Sequence, residues 1–273
     1  LPGSKPVDGV GPLLPELREI YPAVHWRGVV PREAMACDTP VAAFPVRGPL
    51  DILGFDGCGL HRGGEPIGAL ECVQMNTIEF HGWGSRIDLL EKPDRLVMDL
   101  DPDVGLDFET VKKGALRLRD LLADLGLVTF ALVSGGKGIH VVAPLDQSAD
   151  WAAVKSFAER FSRAIAEAEP DLFTANIRKE KRKGRMFVDY LRNERGATAV
   201  APFSTRARPG IPCAVPVAWD ELDELPHANV FTLETAAAKA KEPDPWPDYF
   251  KLKQSITRAM LEKAGIEEGC SKC

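Results

Sequence analysis

Residues 95–101 read Arg-Leu-Val-Met-Asp-Leu-Asp, and this stretch decides the interpretation of the whole chain. The run is largely apolar and ends at Pro102, which predicts a strand that stops at its carboxyl end. Asp107 then caps a predicted helix that runs to about Leu125, and residues 127–133 form an apolar run typical of a buried strand. The sequence therefore predicts a strand–helix–strand unit with a right-handed crossover.

The sequence on either side of this unit predicts further strands and helices. Upstream, residues 77–81 alternate as a strand does, and residues 1–75 are an irregular region of turns and short apolar stretches. Downstream, residues 134–138 have the size and composition of a hairpin turn. The remaining predicted elements are a strand over 139–143, a helix from about Asp150 to Glu169, a strand over 186–191, and helices near 217–223, 230–241 and 247–264.

The composition is that of an ordinary globular protein. Of 273 residues, 45% are apolar and 27% are charged, which excludes intrinsic disorder. No apolar run approaches the ~18 residues of a membrane span, and no signal segment opens the chain, so we expect an intracellular protein without a membrane contact. The net charge of −6 argues against adhesion to nucleic acid through overall charge and leaves a local basic groove open.

Six cysteines in a chain of this length do not indicate a disulfide framework. Cys270 and Cys273 have the spacing of half a zinc site or of a redox pair. No second pair lies near them, so a frayed tail is the simpler interpretation.

Three carboxylates are the strongest chemical signal in the sequence. Strand side chains alternate between faces, so Asp99 and Asp101 are predicted on one face of their strand. Asp189 lies in the apolar run 186–191, where an unpaired carboxylate is costly to bury. Three carboxylates on neighbouring strands suit two divalent cations and phosphoryl transfer, because hard cations prefer oxygen ligands. The simpler alternative is that Asp101 belongs to a turn-capping cluster and Asp99 is an exposed strand residue.

The hairpin and two arginines supply the complementary positive charge. In Ser134-Gly-Gly-Lys-Gly-Ile-His140, glycines let backbone N–H groups approach phosphate oxygens, while Ser134, Lys137 and His140 add donors or charge. No Gly-Lys-Ser/Thr opens a helix here, which disfavours an ordinary P-loop ATPase. Arg206 and Arg208 alternate, so both guanidinium groups are predicted to face one site and clamp phosphates. The alternatives are an exposed hairpin tip and two solvated surface arginines.

Two further features are candidates for the same site. The basic run 178–185 leads directly into the strand of the third aspartate. Lys181, Arg182 and Lys183 are its predicted contacts to a nucleic-acid strand, with a solvated loop as the alternative. His81 follows an apolar strand shortly before the aspartate pair, where a structural role is the alternative to a role in the site.

Five motifs follow one another along the chain: Glu79-Phe-His-Gly-Trp-Gly-Ser85, Leu96-Val-Met-Asp-Leu-Asp-Pro-Asp103, Ser134-Gly-Gly-Lys-Gly-Ile-His140, Phe187-Val-Asp-Tyr-Leu-Arg-Asn193 and Ala199-Val-Ala-Pro-Phe-Ser-Thr-Arg-Ala-Arg-Pro209. In this order they resemble the polymerase domain of bacterial ATP-dependent DNA ligase D, within the archaeo-eukaryotic primase superfamily. The similarity extends over about residues 71–255. It implies an α+β (mixed α/β) primase–polymerase fold, in which a catalytic sheet related to the RNA-recognition motif packs against a second mixed β-sheet. It also implies one domain over 1–273, with a poorly matched N-terminal region (1–75) before a catalytic core and C-terminal helices (76–265).

The resemblance further implies an activity and the residues that perform it. The family adds nucleotides to 3′-hydroxyl groups at DNA ends in non-homologous end joining, with a preference for ribonucleotides over deoxynucleotides and for Mn²⁺ over Mg²⁺. Asp99, Asp101 and Asp189 would be the catalytic ligands of two metal ions. The residues implied around the incoming nucleoside triphosphate are His81, Ser134, Lys137, His140, Arg206 and Arg208. The implied partners are primer–template or gapped DNA ends, Ku, and ligase and phosphoesterase domains, in the bacterial cytoplasm at the nucleoid.

Two other functions remain open from the sequence. A metal-dependent nuclease also uses clustered carboxylates, but it needs a groove for the nucleic-acid backbone rather than a cradle for a triphosphate. A non-catalytic module that binds DNA ends and recruits Ku would carry the three aspartates without a use, although clustered carboxylates repel one another when no cation is present.

Overall fold

The structure of the protein, a computed structural model, describes residues 77–86, 89–257 and 259–260. The expectations for residues 1–75 and for Cys270 and Cys273 fall outside these ranges. In chain order, the described strands and helices are β1 (His81–Trp83), β2 (Arg95–Pro102), α1 (Phe108–Asp124), β3 (Phe130–Val133), β4 (Ile139–Pro144), α2 (Trp151–Ala168), β5 (Phe173–Thr174), β6 (Met186–Asp189), β7 (Thr198–Val200), β8 (Val215–Val217) and α3 (Leu233–Lys239). Short 3₁₀ helices lie at Lys179–Lys181, Leu191–Asn193 and Glu221–Glu224.

Six of these strands form the main sheet, in the order β5-β6-β2-β4-β3-β8. Neighbouring strands are antiparallel, except that β5 and β6 run parallel. Both β2 and β3 pair with β4, which lies between them, so helix α1 connects two strands that are not direct neighbours. The predicted order of strand, helix and strand is therefore confirmed, and so is the hairpin that follows it.

Helices α1 and α2 cover one face of the main sheet. The carboxylates of Asp107 and Asp150 accept hydrogen bonds from the backbone N–H groups of Thr110 and Ala153, at 2.7 and 2.8 Å, so both helices begin where the sequence predicts. The core on this face includes Val111, Ala115, Leu118 and Leu122 of α1, Val154, Phe157 and Phe161 of α2, and Leu96, Met98 and Leu100 of β2. Within the described ranges, no helix has both the length and the apolar character that a membrane span needs.

The opposite face of the main sheet carries a smaller layer. Strands β1 and β7 form a two-stranded antiparallel sheet in which His81 lies opposite Val200. The buried cluster on this side consists of Val97, Phe130, Leu132, Val142, Val200, Ala214, Trp246 and Tyr249. The expected second mixed sheet is antiparallel in the described part of the chain, and the main sheet is the mixed one. In the described part of the chain, helices α1 and α2 pack on the other face, so polar residues can lie on this face beside the small sheet.

Several predicted boundaries are wrong by a few residues. Among the strands, the one expected over 77–81 is β1 at His81–Trp83, the one expected over 127–133 begins at Phe130, and the one expected over 186–191 ends at Asp189. Among the helices, the one expected near 217–223 is the 3₁₀ helix Glu221–Glu224, and the one expected over 230–241 is α3 at Leu233–Lys239. The early end of β6 at Asp189 matters for the site. After Asp189 the chain turns into a 3₁₀ helix instead of continuing the strand, which brings Arg192 back towards the sheet.

The helix predicted near 247–264 is also wrong over residues 247–257, which form a turn and an irregular segment. Asp248 has a φ of +63°, a conformation that an α-helix does not contain. The turn is held by two aromatic rings, because Trp246 and Tyr249 pack on Phe130 with centroid distances of 5.6 and 5.2 Å. Apolar spacing in this segment therefore reflects packing against the sheet rather than a helix.

Candidate functional site

Polar side chains form a row across three central strands of the main sheet. Asp99 of β2 lies directly opposite Asp189 of β6 on one side and opposite His140 of β4 on the other. Directly opposite residues of antiparallel strands share a face of the sheet, so these three side chains project together. Asp101 lies two residues further along β2 and therefore shares that face. The structure brings the three predicted aspartates to one place, on the face that the helices leave free.

Each of these aspartates contacts an arginine. The Nε atom of Arg192 lies 3.2 Å from Asp99 Oδ2 and 3.3 Å from Asp189 Oδ2. Asp101 accepts a hydrogen bond of 2.9 Å from Nη1 of Arg182. We call these three aspartates and two arginines the aspartate cluster. Three carboxylates thus face two cations, so the cluster retains an excess of negative charge.

The pKa of the Asp189 carboxyl is raised above its ordinary value. Burial raises the pKa of this carboxyl and the charge of Asp99 raises it further, while Arg192 opposes both effects. The cluster is therefore stabilised by added positive charge. Its all-oxygen donor set suits a hard divalent cation such as Mg²⁺ or Mn²⁺, so the residues fit the implied metal ions. In the described ranges no group of three or more acidic, His or Cys side chains is arranged around a metal position, and arginines pair with all three carboxylates. Metal binding would require these ion pairs to open.

His140 lies in the floor of a cleft beside the aspartate cluster. Its Nε2 atom is 3.4 Å from Asp99 Oδ1, and among the described residues its buried Nδ1 atom has no hydrogen-bond partner. Burial lowers the pKa of this imidazole despite the opposing charge of Asp99. His140 is therefore a neutral group at pH 7, whereas the sequence left open a positive charge. The cleft is lined by residues of the small sheet, such as Trp83 and Val200, and by Arg192 and Trp246, which lie outside both sheets.

The glycine-rich hairpin lies directly against β2. An added Cβ atom on Gly138 would lie 1.9 Å from the Leu100 carbonyl oxygen, so only glycine permits this close approach. The turn is closed by the backbone N–H of Ser134, which donates to the Gly138 carbonyl at 3.1 Å. Ser134 is buried and Lys137 is exposed at the tip. The predicted hairpin thus stands beside the aspartate cluster.

The two predicted arginines pack against this hairpin. Arg206 Nη1 donates to the backbone carbonyl of Ser134. The guanidinium of Arg208 is exposed and lies over Gly136, where an added Cβ atom would be 3.3 Å from Arg208 Cζ. The alternating arginines therefore reach one place, as their spacing predicts.

One carboxylate in this region was not predicted as a site residue. Glu79 accepts hydrogen bonds from His81 Nε2 at 2.7 Å, from Arg206 Nε at 3.0 Å and from the backbone N–H of Ala207 at 2.8 Å. Burial alone would raise its pKa, but the hydrogen bond from His81 and the charge of Arg206 outweigh burial and lower the pKa to about 2. We call these four residues the Glu79 cluster. The sequence could have indicated Glu79 as a site residue, because Glu79 alternates with the candidate His81 in one extended segment.

The basic run does not lie entirely at the surface. Lys181 and Lys183 are exposed, as expected for contacts to a nucleic-acid strand. Arg182 is only 9% exposed, which fits neither the predicted contact to a nucleic-acid strand nor the alternative of a solvated loop. Its guanidinium lies 3.8 Å from the centroid of the Phe187 ring, pairs with Asp101 and donates to the carbonyl oxygens of Asn176 and Ile177. Arg182 is thus part of the aspartate cluster rather than of an outer rim.

Comparisons with known proteins agree with this arrangement. The family described as "LigD, primase-polymerase domain" matches residues 65–246. The multifunctional non-homologous end joining protein LigD of Pseudomonas aeruginosa is 43% identical over 196 residues, which are 71% of this chain and 23% of that protein. The multifunctional non-homologous end joining DNA repair protein LigD of Mycobacterium tuberculosis is 41% identical over 130 residues, 48% of this chain and 17% of that protein. This chain spans less than a quarter of the length of these two relatives.

A solved structure has the same fold. The polymerase domain from Mycobacterium tuberculosis ligase D, in complex with DNA, matches with a TM-score of 0.63 and 30% sequence identity, over 71% of this chain and 73% of that one. The family match covers more than half of the chain and includes both the aspartate cluster and the Glu79 cluster. The chain therefore belongs to the LigD primase-polymerase domain family, whose members are nucleotidyltransferases.

Proposed function

We propose that this chain adds nucleotides to the 3′-hydroxyl groups of DNA ends in non-homologous end joining, with two divalent metal ions and with ribonucleoside triphosphates as preferred substrates. The observation that carries the proposal is the row Asp189–Asp99–His140 beside the hairpin 134–138. An acidic cluster that could hold metal ions lies beside a glycine-rich turn that could hold phosphates, and nucleotidyl transfer needs both.

The aspartate cluster would hold the metal ions. Asp99 and Asp189 face each other across two strands, and Asp101 extends the acidic face along β2. Two bound divalent ions, Mn²⁺ in preference to Mg²⁺, would stabilise the charge on the attacking and leaving oxygens. Before they bind, Arg192 and Arg182 supply part of the missing positive charge.

The hairpin and its arginines would bind the triphosphate. Arg206 and Arg208 lie on one side of the hairpin and Lys137 stands at its tip, so three cations surround a short stretch of backbone. Charge-assisted hydrogen bonds of this kind stabilise phosphate oxygens, most of all as pyrophosphate leaves. Ser134 and the neutral His140 would add directed hydrogen bonds rather than charge.

The DNA would lie near the basic run that precedes β6. Lys181 and Lys183 are exposed and belong to the segment that places Arg182 on Asp101. Because the chain carries a net charge of −6, DNA affinity should come from such a local groove and should fall steeply with salt. The solved neighbour from Mycobacterium tuberculosis is a complex with DNA, which supports the same ligand here. Ku, a ligase domain and a phosphoesterase domain are the proposed partners, in the bacterial cytoplasm at the nucleoid.

Primer extension tests the proposal. Recessed and gapped DNA ends are incubated with ATP or dATP, in Mn²⁺ or Mg²⁺, with the wild-type chain and with Asp99→Asn as the matched inactive control. We expect growing products that are most abundant with ATP and Mn²⁺ and absent with the variant. Shortened DNA would support the nuclease alternative, and DNA binding without any new product would support the end-binding module.

A further inference from the structure

Glu79 links three separate segments of the site. It precedes β1, whereas Arg206 and Ala207 lie in the loop after β7, and Arg206 continues to the carbonyl of Ser134 in the hairpin. The glutamate and Arg206 are separated by 127 positions in the chain. One carboxylate thus connects the segment that contains His81, the loop that contains Arg206 and Ala207, and, through Arg206, the hairpin 134–138.

We propose that Glu79 is a positioning residue that sets the orientation of His81 and Arg206 and thereby the affinity for the nucleoside triphosphate. The inference rests on the proposed function and adds to it a residue that does not itself need to touch the nucleotide. Both oxygens of Glu79 are used within the protein, Oε1 by the two side chains and Oε2 by the backbone. The carboxylate therefore acts through its two neighbours.

The carboxylate determines which nitrogen of His81 carries the proton. An ionised carboxylate only accepts hydrogen bonds, so the Nε2 atom that lies 2.7 Å from Glu79 must be the donor. In the neutral ring, Nδ1 is then the acceptor. Glu79 thus fixes both the tautomer of the ring and its rotation about the side chain.

The same carboxylate helps to fix the orientation of the Arg206 guanidinium. A guanidinium has five N–H donors in a fixed plane. Glu79 takes the Nε donor and the Ser134 carbonyl takes one on Nη1, so two bonds on adjacent sides hold the plane. Among the described residues, the guanidinium of Arg206 makes no further hydrogen bond, so its remaining donors are left for an anion. An arginine held in this way loses less side-chain entropy when it binds a phosphate.

A substitution can separate this role from a purely structural one. In Glu79→Gln the amide oxygen can still accept from Ala207, which preserves the loop. Its amide nitrogen then faces His81 and Arg206, which are both donors, so the orienting hydrogen bonds are lost. Glu79→Asp keeps the charge and serves as the conservative variant. Glu91→Gln is the matched control, because Glu91 also pairs with an arginine but lies exposed on Arg195.

We measure three quantities on the wild-type chain and on these variants: the Kd for ATP in Mg²⁺ by calorimetry, the Kd for a labelled DNA end, and the ¹⁵N spectrum of His81 at a pH where the ring is neutral. For Glu79→Gln we expect a Kd for ATP about 10- to 100-fold higher, the range for a lost charge-assisted hydrogen bond. DNA-end affinity stays within about twofold of wild type, since the outer lysines are untouched. The ¹⁵N spectrum changes from Nε2–H to a mixture of tautomers. Glu79→Asp recovers part of the ATP affinity, and Glu91→Gln equals wild type.

The proposal is overturned if Glu79→Gln binds ATP as wild type does, or if it weakens ATP and DNA binding equally while His81 keeps its tautomer. Should Glu79→Gln not fold, Glu79→Asp carries the same comparison, and unaltered ATP affinity together with an unaltered His81 spectrum in a folded Glu79→Asp protein would count against the proposal. A wild-type chain that binds no ATP would overturn the proposed function instead, and the His81 spectrum would still decide whether Glu79 positions the ring.

Discussion

The aspartate cluster and the Glu79 cluster lie side by side and have opposite electrostatic balances. In the aspartate cluster, three carboxylates share two arginines, and burial and Asp99 raise the pKa of Asp189. In the Glu79 cluster, a single carboxylate receives three hydrogen bonds, and its pKa is about 2. The first cluster is short of positive charge, whereas the second is already satisfied. We infer that the Glu79 cluster is already in its final arrangement before any ligand binds, whereas the aspartate cluster needs bound cations to balance its charge.

The largest expected effect follows from removing a carboxylate of the aspartate cluster. Asp99→Ala, Asp101→Ala or Asp189→Ala should each reduce nucleotide addition at least about a thousandfold, because metal ions stabilise transition-state charge by several kcal/mol. Primer extension and circular dichroism on each variant measure the loss and check the fold. A variant that extends DNA at the wild-type rate would remove its residue from the metal site.

The next effect concerns stability, and it belongs to the Glu79 cluster. The pKa of Glu79 in the folded protein, about 2, lies below its ordinary value of 4.5, so its contribution to stability is complete above about pH 4.5 and is lost as the pH falls through 2. Glu79→Gln should therefore lower the free energy of unfolding at pH 7 by about 2–4 kcal/mol. Urea unfolding between pH 2 and pH 7 measures this difference, which should vanish at the acid end. A difference that does not depend on pH would show that packing, not charge, holds this cluster.

A somewhat smaller effect separates nucleotide binding from metal binding. His140→Ala and Arg206→Ala should each raise the KM for NTP about 10- to 100-fold, since each removes a proposed hydrogen bond to the triphosphate, charge-assisted in the case of Arg206. Mn²⁺ affinity and DNA-end affinity should stay near the wild-type values. Steady-state kinetics together with Mn²⁺ titration check this. If Mn²⁺ affinity collapses in His140→Ala while the KM is unchanged, His140 is a metal ligand and belongs to the aspartate cluster.

The smallest expected effect has the opposite sign from that of Glu79→Gln. Because the pKa of Asp189 is raised, ionising this carboxyl costs stability, and the cost appears as the pH rises past its ordinary value. Asp189→Asn should therefore be slightly more stable than wild type in chelator at pH 7. Added Mn²⁺ should stabilise wild type and not the variant, because a ligand stabilises only the state that binds it. Thermal unfolding with and without Mn²⁺ makes the comparison, and equal responses to Mn²⁺ would remove Asp189 from the metal site.

The aspartates and the hairpin could be predicted because their signals are local. Alternation along β2 places Asp99 and Asp101 on one face, and glycine spacing marks the hairpin. What the sequence did not reveal are the partners that neutralise these groups. Arg192 reaches Asp99 across 93 positions and Arg182 reaches Asp101 across 81, so no short-range pattern reports either pair.

The basic run 178–185 also has a side-chain arrangement that the sequence alone does not predict. Its composition predicts three accessible basic side chains, as nucleic-acid contacts or as a solvated loop. Arg182 instead packs on the Phe187 ring, after the 3₁₀ helix Lys179–Lys181, while its lysine neighbours stay exposed. Which member of a charged run turns inwards depends on the strand beneath it. The sequence alone therefore predicted the sheet and the acidic face, but not how the arginines are divided between the two clusters.

The assignment of the metal ions to the aspartate cluster is tested most directly by measuring Mn²⁺ affinity in the absence of nucleotide. Electron paramagnetic resonance detects the bound Mn²⁺ in the wild-type chain, in Asp189→Asn and in Glu79→Gln. We expect wild type and Glu79→Gln to bind Mn²⁺ with equal affinity and Asp189→Asn to bind it at least about tenfold more weakly, because it has lost an anionic oxygen ligand. Normal Mn²⁺ binding by Asp189→Asn together with its loss in Glu79→Gln would contradict the account, since the metal would then belong to the Glu79 cluster.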